Sequence, residues 1–225
     1  MHRLLFCSGA EKTEVGFEIK AGMKIICVGR NYADHARELG NEVPEEPVLF
    51  MKPDSAVMQR NNPFVIPAIS NDIHYECELI LKIGRNGKCI EQEFAHRYIS
   101  EIGLGIDFTA RDLQTDLKSK GLPWEKAKAF DGSAYLGDFK PASDFADLGD
   151  LSFEMHKNGI PVQVGKTAHM LHSIPTLIAY ISRYFSFKMG DVVFTGTPAG
   201  VGPVSRGDEL KGYLEGQPMF QVRVR

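Results

Sequence analysis

The chain has 225 residues, of which 43% are hydrophobic and 24% charged, a composition typical of one globular domain with a substantial core. The formal net charge is -3 and no segment is strongly basic, which argues against nucleic acid as a partner. The longest apolar runs, Lys24–Gly29 and Ile174–Tyr180, are much shorter than the ~20 residues that a membrane span requires. The N-terminus has one Arg and too short an apolar patch for a signal peptide, and the four cysteines form no CxxC pair. A reducing cytoplasm is therefore the expected location.

Many short apolar segments, separated by 22 glycines and 12 prolines, predict a β-rich fold. In chain order the principal predicted elements are strands at Lys24–Gly29, Tyr75–Ile83, Ile102–Phe108 and Asp191–Thr195 and helices at Tyr32–Leu39, Ala110–Lys120 and Ile174–Phe185. Asn31 and Thr109 are placed to cap the first two helices. Asn158-Gly159 and Glu215-Gly216 each predict a β-hairpin.

Strands outnumber helices in this pattern, and the two do not alternate in βαβ order. The expected fold class is therefore α+β, mainly β: a mixed, mostly antiparallel β-roll with a few covering helices. Residues 1–20 are expected to form a short N-terminal lead-in hairpin, and residues 21–225 a single catalytic domain.

A pair of carboxylates, Glu76 and Glu78, lies within the predicted strand Tyr75–Ile83. Because side chains alternate along a strand, both carboxylates point to one face and Cys77 points to the other. Two like charges buried together are costly unless a cation compensates them. The apolar run Leu79–Leu81 favours a strand covered on both sides. The alternative is an exposed edge strand whose glutamates face water.

Asp107 ends a second apolar strand, where it either caps the following helix or supplies a third carboxylate. Three carboxylates without histidine or cysteine favour a hard cation, Mg²⁺ or Mn²⁺, over zinc. The loop Thr195–Pro203 has neither the Gly-Lys-Ser/Thr of a Walker A loop nor GxGxxG spacing. Taken alone, this loop is a structural turn.

Two pairs of residues three apart on predicted helices are further candidates. His35 with Glu38 is either a surface ion pair or a dyad in which the carboxylate fixes the imidazole tautomer. Arg111 and Gln114 share a helix face directed towards the expected metal, and an arginine suits a carboxylate. Lys126 and Lys128 lie in a segment with few other charges, where one of the two could neutralise a metal-bound anion.

Six motifs, in order along the chain, resemble the fumarylacetoacetate hydrolase family, and within it the small single-domain acylpyruvase and oxaloacetate decarboxylase-like members. They are Val28–His35, Glu46–Pro53, His74–Leu79, Asp107–Asp112, Lys126–Asp131 and Thr195–Pro203. The larger fumarylacetoacetases carry an additional acidic ligand in the loop that here reads Arg30-Asn31-Tyr32. Fumarylacetoacetate itself is therefore not the expected substrate.

The resemblance implies a fumarylacetoacetate hydrolase-type β-roll with a divalent metal site and no organic cofactor. The implied metal ligands are Glu76, Glu78 and Asp107, for Mg²⁺ or Mn²⁺. The implied catalytic residues are His35 and Glu38, as a water-activating dyad on a lid segment, and Lys128. The implied substrate-binding residues are Arg30, Arg111, Gln114, Gly196 and Thr197, with the backbone amides of the last two around the substrate carboxylate.

The reaction expected first is hydrolysis of a C–C bond in acylpyruvate-type 2,4-dioxo acids, which releases pyruvate through a metal-bound enolate. The same residues would serve an oxaloacetate decarboxylase, a keto–enol tautomerase or a dienoate isomerase, although the His35–Glu38 pair favours water activation. A metal-binding module without activity is the non-enzymatic alternative. The expected partner is a small 2-oxo acid, with no nucleic acid and no membrane, and the resemblance implies a homodimer.

Overall fold

The structure, a computed structural model of the chain, describes residues 22–38, 40, 42–59 and 61–225. The predicted lead-in hairpin at residues 1–20 lies outside the described residues. The strands in the described part are β1 (Ile25–Gly29), β2 (Val48–Lys52), β3 (Ile73–Tyr75), β4 (Cys77–Ile83), β5 (Ile99–Asp107), β6 (Thr109–Ala110), β7 (Ala134–Pro141), β8 (Ser152–Lys157), β9 (Ile160–Lys166), β10 (Val192–Phe194), β11 (Gly202–Pro203), β12 (Glu209–Leu214) and β13 (Gln217–Arg223). The α-helices there are α1 (Ala33–Glu38), α2 (Arg111–Ser119), α3 (Glu125–Lys128) and α4 (Ile174–Tyr184), and short 3-10 helices lie at Asp54–Ala56, Gln92–Tyr98, Ala142–Asp144, Leu148–Asp150 and Thr167–His169.

Three sheets are formed by the described residues. The largest has the order β2-β1-β10-β4-β5-β7, a second has the order β11-β3-β6, and the third has the order β13-β12-β8-β9. Among these paired strands β1 and β10 run parallel, and the other pairs run antiparallel. The prediction of a mixed, mostly antiparallel and mainly β fold is confirmed. Both predicted hairpins form, with Asn158 and Gly159 at φ 54° and 83° and Glu215 and Gly216 at φ 49° and 71°.

Strand β4 lies between β10 and β5 and is covered on both faces. Leu79 and Leu81 pack into the larger of two hydrophobic clusters, and Ile80 packs into the smaller one on the opposite face. The interpretation of this segment as an exposed edge strand is therefore wrong. Carboxylates on such a strand must be compensated inside the protein.

Helix α4 covers the larger cluster with a single apolar face. Ile174, Leu177, Ile178 and Ile181 are buried, and the Ser173 hydroxyl caps the helix by accepting from the Thr176 amide. Each such buried side chain contributes about 1.5–3 kcal/mol relative to exposure. None of the helices in the described ranges is long and apolar enough to cross a membrane.

A seam between two sheets creates the position of the candidate site. The strand predicted over Tyr75–Ile83 is interrupted at Glu76, where the chain leaves the three-stranded sheet and enters the six-stranded one. The adjacent segment makes the same change of sheet at Phe108, between β5 and β6. The Asp107 amide donates to the Glu76 carbonyl at 2.9 Å and so holds the two crossing points together.

Candidate metal centre and active site

The predicted trio of carboxylates meets at this seam. Glu76, Glu78 and Asp107 each present an oxygen, and these oxygens lie within 4.8 Å of one another. Their exposed fractions are 4%, 2% and 0%. Glu76 and Glu78 were predicted to share one face of a strand, and Asp107 was predicted at the end of another strand. Together they form one buried cluster of hard oxygen donors.

Two cationic side chains hold Glu76 from opposite sides. Lys128 Nζ donates to Glu76 Oε2 at 2.7 Å and to Asp107 Oδ2 at 2.8 Å, while Arg111 Nη2 donates to Glu76 Oε1 at 2.6 Å. Burial raises the pKa of Glu76, but the charges of Lys128 and then Arg111 outweigh it and leave this pKa below its usual range. Burial lowers the pKa of Lys128, but Asp107 and Glu76 outweigh it and raise that pKa overall. The carboxylate and the ammonium group are therefore both charged near neutral pH.

A second buried lysine, Lys52, forms an ion pair with Asp107. The sequence argument did not identify Lys52. Its Nζ lies 2.7 Å from Asp107 Oδ1 and donates to the Ser133 hydroxyl at 3.0 Å and to the Lys128 carbonyl. Lys52 ends strand β2, and a lysine at a strand end is most often solvated. Its position within the motif Glu46–Pro53 was the one sequence signal that pointed to the site.

Glu78 differs from the other two carboxylates because a backbone amide, that of Gly196 at 2.6 Å, supplies its hydrogen bond in the described structure. Burial, and then the neighbouring charges of Asp107 and Glu76, raise the pKa of this carboxyl well above its usual range. A buried acid beside two carboxylates is electrostatically unfavourable unless a further cation is present. The trio therefore fits a divalent metal ion, and its all-oxygen donor set suits a hard one.

Helix α1 carries His35 against the same site. The imidazole is 5% exposed, and its Nδ1 lies 3.3 Å from Glu38 Oε2. Burial lowers the pKa of His35 more than Glu76 and Glu38 raise it, so the ring is neutral at pH 7. Glu38 also accepts from the Gly200 amide at 3.1 Å. The imidazole is thus buried in the site, while its partner Glu38 is exposed.

The prediction that Asn31 caps helix α1 is wrong. Asn31 is fully buried, and its amide group donates to the carbonyls of Thr195 at 2.8 Å and His172 at 3.1 Å, while its oxygen accepts from the His172 amide. Tertiary partners more than 140 residues away take the groups that a cap would use. The side chain therefore fixes the start of the His35 segment to the loop after β10.

The prediction that Thr109 caps helix α2 is also wrong. The cap position is Ala110, which makes no side-chain hydrogen bond. The Thr109 hydroxyl donates to the Asp107 carbonyl at 3.3 Å and accepts from Lys128 Nζ at 2.7 Å. Thr109 therefore helps to orient the buried ammonium group of Lys128.

The loop after β10 is built into the framework of the site. The Gly196 amide is used by Glu78, and the Thr197 hydroxyl donates to the Cys77 carbonyl and accepts from Gln163 Nε2, each at 2.8 Å. Gly196 has φ +99°, and a Cβ there would lie 2.7 Å from Asn31 Cβ, so only glycine fits. Gln163, from strand β9, is a further residue that the sequence argument missed.

The predicted substrate residues Arg30, Arg111 and Gln114 line one pocket together with the trio, and Arg111 Nη1 donates to Gln114 Oε1 at 2.6 Å. The pocket contains further residues that the sequence argument did not identify. All of its lining residues are Val28, Gly29, Arg30, His35, Phe50, Glu76, Glu78, Asp107, Arg111, Gln114, Lys118, Trp124, Lys128 and Thr197. Its aromatic wall is formed by Phe50 and Trp124, whose ring centroids lie 6.0 Å apart.

This fold and site define a member of the fumarylacetoacetate hydrolase family, because the model of the fumarylacetoacetate hydrolase C-terminal family matches residues 24–225. The chain belongs to this family of enzymes. It is 45% identical to oxaloacetate tautomerase YcgM of Escherichia coli, over 87% of this chain and 90% of that protein. It is 42% identical to a mitochondrial oxaloacetate decarboxylase of Dictyostelium discoideum, over 88% of this chain and 91% of that protein.

A solved structure of similar fold contains ligands. It is the fumarylpyruvate hydrolase of Pseudomonas aeruginosa in complex with Mn²⁺ and pyruvate, with a TM-score of 0.84 and 38% identity. The match covers 89% of this chain and 88% of that one. The expected family and fold are thereby confirmed.

Proposed function

We propose that this chain is a divalent-metal-dependent enzyme that interconverts the keto and enol forms of oxaloacetate. The observation that carries the proposal is a buried three-carboxylate site in a pocket that also contains arginine and lysine side chains, which suits an anionic 2-oxo acid. The two relatives named for oxaloacetate support this substrate. The name of the Escherichia coli relative is our reason for proposing tautomerisation ahead of the C–C hydrolysis that the sequence alone favoured.

Glu76, Glu78 and Asp107 are the residues that would hold Mg²⁺ or Mn²⁺. Their oxygen donors, their burial and the unfavourable position of Glu78 beside two other carboxylates support this role. The Mn²⁺ in the Pseudomonas relative supports a cation of this class. When bound, the cation supplies Lewis-acid stabilisation of negative charge on the keto oxygen of the substrate.

In this proposal Arg111 binds and orients the anionic substrate, and Lys128 stabilises the substrate through its charge. Lys128 is held by three acceptors, Glu76, Asp107 and the Thr109 hydroxyl, so its ammonium group is fixed before substrate arrives. Arg111 is fixed in the same way by Glu76 and Gln114. Charges that are oriented in advance stabilise a developing enolate without the cost of reorganising the site.

His35 is the proton carrier. Because Nδ1 faces Glu38, the neutral ring carries its proton on Nδ1 and leaves the Nε2 lone pair to act as a base. In the keto-to-enol direction this nitrogen takes a proton from carbon 3 of oxaloacetate and delivers it to the oxygen on carbon 2. In the reverse direction it takes the proton of the enol hydroxyl and returns it to carbon 3. Glu38 stabilises the imidazolium that exists between the two transfers.

Hydrolytic cleavage of an acylpyruvate is the second candidate function, and the His35–Glu38 dyad favours it specifically. A carboxylate-oriented imidazole is a common device for activating water, and the Pseudomonas relative is named a fumarylpyruvate hydrolase. In that reaction His35 would take its proton from water instead of from carbon.

A substrate panel on metal-stripped protein, restored in turn with Mg²⁺ and Mn²⁺, tests both candidates. The panel contains the enol and keto forms of oxaloacetate, acetylpyruvate and fumarylpyruvate. The proposal expects metal-dependent decay of enol absorbance without pyruvate release. Rapid pyruvate release from an acylpyruvate, with no effect on the enol of oxaloacetate, would replace tautomerisation by hydrolysis. Comparison of kcat/KM with the two cations identifies the more effective metal.

We also propose that the chain forms a homodimer in the cytoplasm. The edge strand β9 exposes Ile160 and Val164 at 66% and 68%, the highest values among the large apolar side chains of the described residues, and a second subunit packed on this strand would cover them. Cys27, Cys77 and Cys89 are free thiols, which supports a reducing compartment. Light scattering after size exclusion would measure the mass of the particle, and a monomer at micromolar concentration would contradict the dimer.

A further inference from the structure

Helix α2 carries a third residue that lines the pocket, beyond Arg111 and Gln114. The additional residue is Lys118. Arg111, Gln114 and Lys118 occupy positions i, i+3 and i+7, so all three side chains lie on one face of the helix. At a rise of 1.5 Å per residue, Lys118 lies roughly 10 Å further along the helix than Arg111. Arg111 contacts a member of the trio, so Lys118 marks the far end of the pocket.

Arg30 lines the same pocket and acts electrostatically on Lys118. Burial lowers the pKa of Lys118, and the charges of Arg30 and then Arg111 lower it further. Arg30 has φ +58°, a left-handed backbone conformation that is unfavourable for a residue with a side chain of this size. Two half-buried cations that repel each other in a cleft, one of them on a strained backbone, indicate a place for an anion.

The charges of the pocket indicate how many carboxylates that anion carries. The carboxylates of the trio face the ammonium groups of Lys52 and Lys128 and the guanidinium group of Arg111. A divalent cation in the trio, with Arg30 and Lys118 beyond it, therefore leaves the pocket positively charged. A substrate with one carboxylate at the metal end and a second carboxylate at the far end would neutralise both regions.

We propose that Arg30 and Lys118 form a subsite for the second carboxylate of the substrate and so select 2-oxo dicarboxylates over 2-oxo monocarboxylates. The inference rests on the proposed function, in which the first carboxylate and the keto oxygen occupy the metal end. Phe50 and Trp124 form the apolar wall of the pocket. They would contact the carbon chain between the two carboxylates.

The test compares oxaloacetate with its 4-methyl ester, which retains the 2-oxo acid but lacks the second charge. Lys118→Met keeps the length of the side chain and removes its ammonium group. We expect kcat/KM for oxaloacetate to fall about tenfold, mainly through KM, and kcat/KM for the ester to change by less than about twofold. Lys120→Met on the same helix is the matched control, because Lys120 is exposed and pairs with Asp116. It should leave both values unchanged.

A second variant tests the other cation. Arg30→Asn removes the guanidinium group, and asparagine tolerates a left-handed backbone better than most residues. The same selective loss on oxaloacetate is expected. An equal loss on both substrates in both variants, or no loss on either, would overturn the subsite.

Binding measurements separate this inference from the proposed function. Trp124 is the single tryptophan of the chain and lines the pocket, so its emission reports ligand binding. If the wild type turned over neither compound, the proposed reaction would fail, yet the subsite would still be tested by Trp124 titration of the metal-loaded protein. Tighter binding of oxaloacetate than of its ester, lost in Lys118→Met while pyruvate binding is retained, supports the subsite. Equal binding of the two compounds by the wild type refutes it.

Discussion

Gln163 offers a quantitative test of how the site is supported, because one buried side chain joins two elements of the candidate centre. It is 1% exposed and lies on β9. Its Oε1 accepts from the Cys77 amide at 2.8 Å, and its Nε2 donates to the Thr197 hydroxyl at 2.8 Å and to the Pro198 carbonyl at 2.9 Å. The residue therefore connects the break in strand β3–β4 to the loop after β10.

Gln163→Leu fills a similar volume but removes these hydrogen bonds. The Cys77 amide and the Pro198 carbonyl would be left buried without their partner, and each unsatisfied group costs about 1–3 kcal/mol. Thr197 keeps its bond to the Cys77 carbonyl, so its loss is smaller. Part of the cost is offset by the apolar side chain, and we expect the free energy of unfolding to fall by about 3 kcal/mol.

Urea unfolding, followed by Trp124 emission and by circular dichroism, measures this change. The matched control is Gln221→Leu, since Gln221 is exposed and bonds to Glu209 at the surface. The control should change the free energy of unfolding by less than about 0.5 kcal/mol. A loss below about 1 kcal/mol in Gln163→Leu would show that other groups satisfy the amide and the carbonyl, and it would refute the argument.

Four further outcomes follow from the geometry of the site. Mg²⁺ or Mn²⁺ at 100 times its Kd should stabilise the wild type by about 2.7 kcal/mol in urea unfolding, and Glu78→Gln should lose this gain; a variant that kept it would contradict the ligand role. The activity should depend on neutral His35, and burial lowers the pKa of His35 below 6.5, so the acidic limb of kcat/KM should lie below pH 6.5. Glu38→Gln should move this limb to still lower pH, because Glu38 raises the pKa of His35. A limb at higher pH would exclude His35 as the base. Because the pKa of His35 is lower in the folded protein, the free energy of unfolding should fall as pH drops from 6.5 through the pKa of folded His35. This part of the pH dependence should be absent in His35→Gln. Lys128→Met should reduce kcat by about 10²–10³-fold with metal binding retained in calorimetry, and near-normal turnover would refute its role.

Features set by local periodicity were predictable from the sequence. Glu76 and Glu78 share a side because side chains alternate every second residue, and the apolar run after them requires a covered strand. The hairpins at residues 158–159 and 215–216 formed as predicted because their turns accept a positive φ. The interruption at Glu76 was not predictable, since the apolar pattern continues through a change of sheet.

Residues whose role depends on distant contacts were missed or misassigned. Asn31 and Thr109 have the residue types and positions of helix caps, but buried partners elsewhere in the chain compete successfully for their side chains. Lys52, Lys118 and Gln163 have long polar side chains that are usually solvated. Only the packing of elements distant in sequence brings each of them to the site, and local sequence patterns do not reveal that packing.

The buried lysines explain how three carboxylates can remain close together before any metal binds. Lys128 joins Glu76 to Asp107, and Lys52 holds the other oxygen of Asp107 while donating to the carbonyl of Lys128 itself. The positions of both lysines are therefore linked, and each carboxylate they contact is compensated in the metal-free protein. Glu78 alone among the trio is held by a backbone amide. A divalent cation at the proposed site would therefore gain most by neutralising Glu78, while Glu76 and Asp107 are already in place. In the proposed site a metal would bind with little reorganisation, because the seam between the sheets and the two lysines fix the carboxylate geometry in advance.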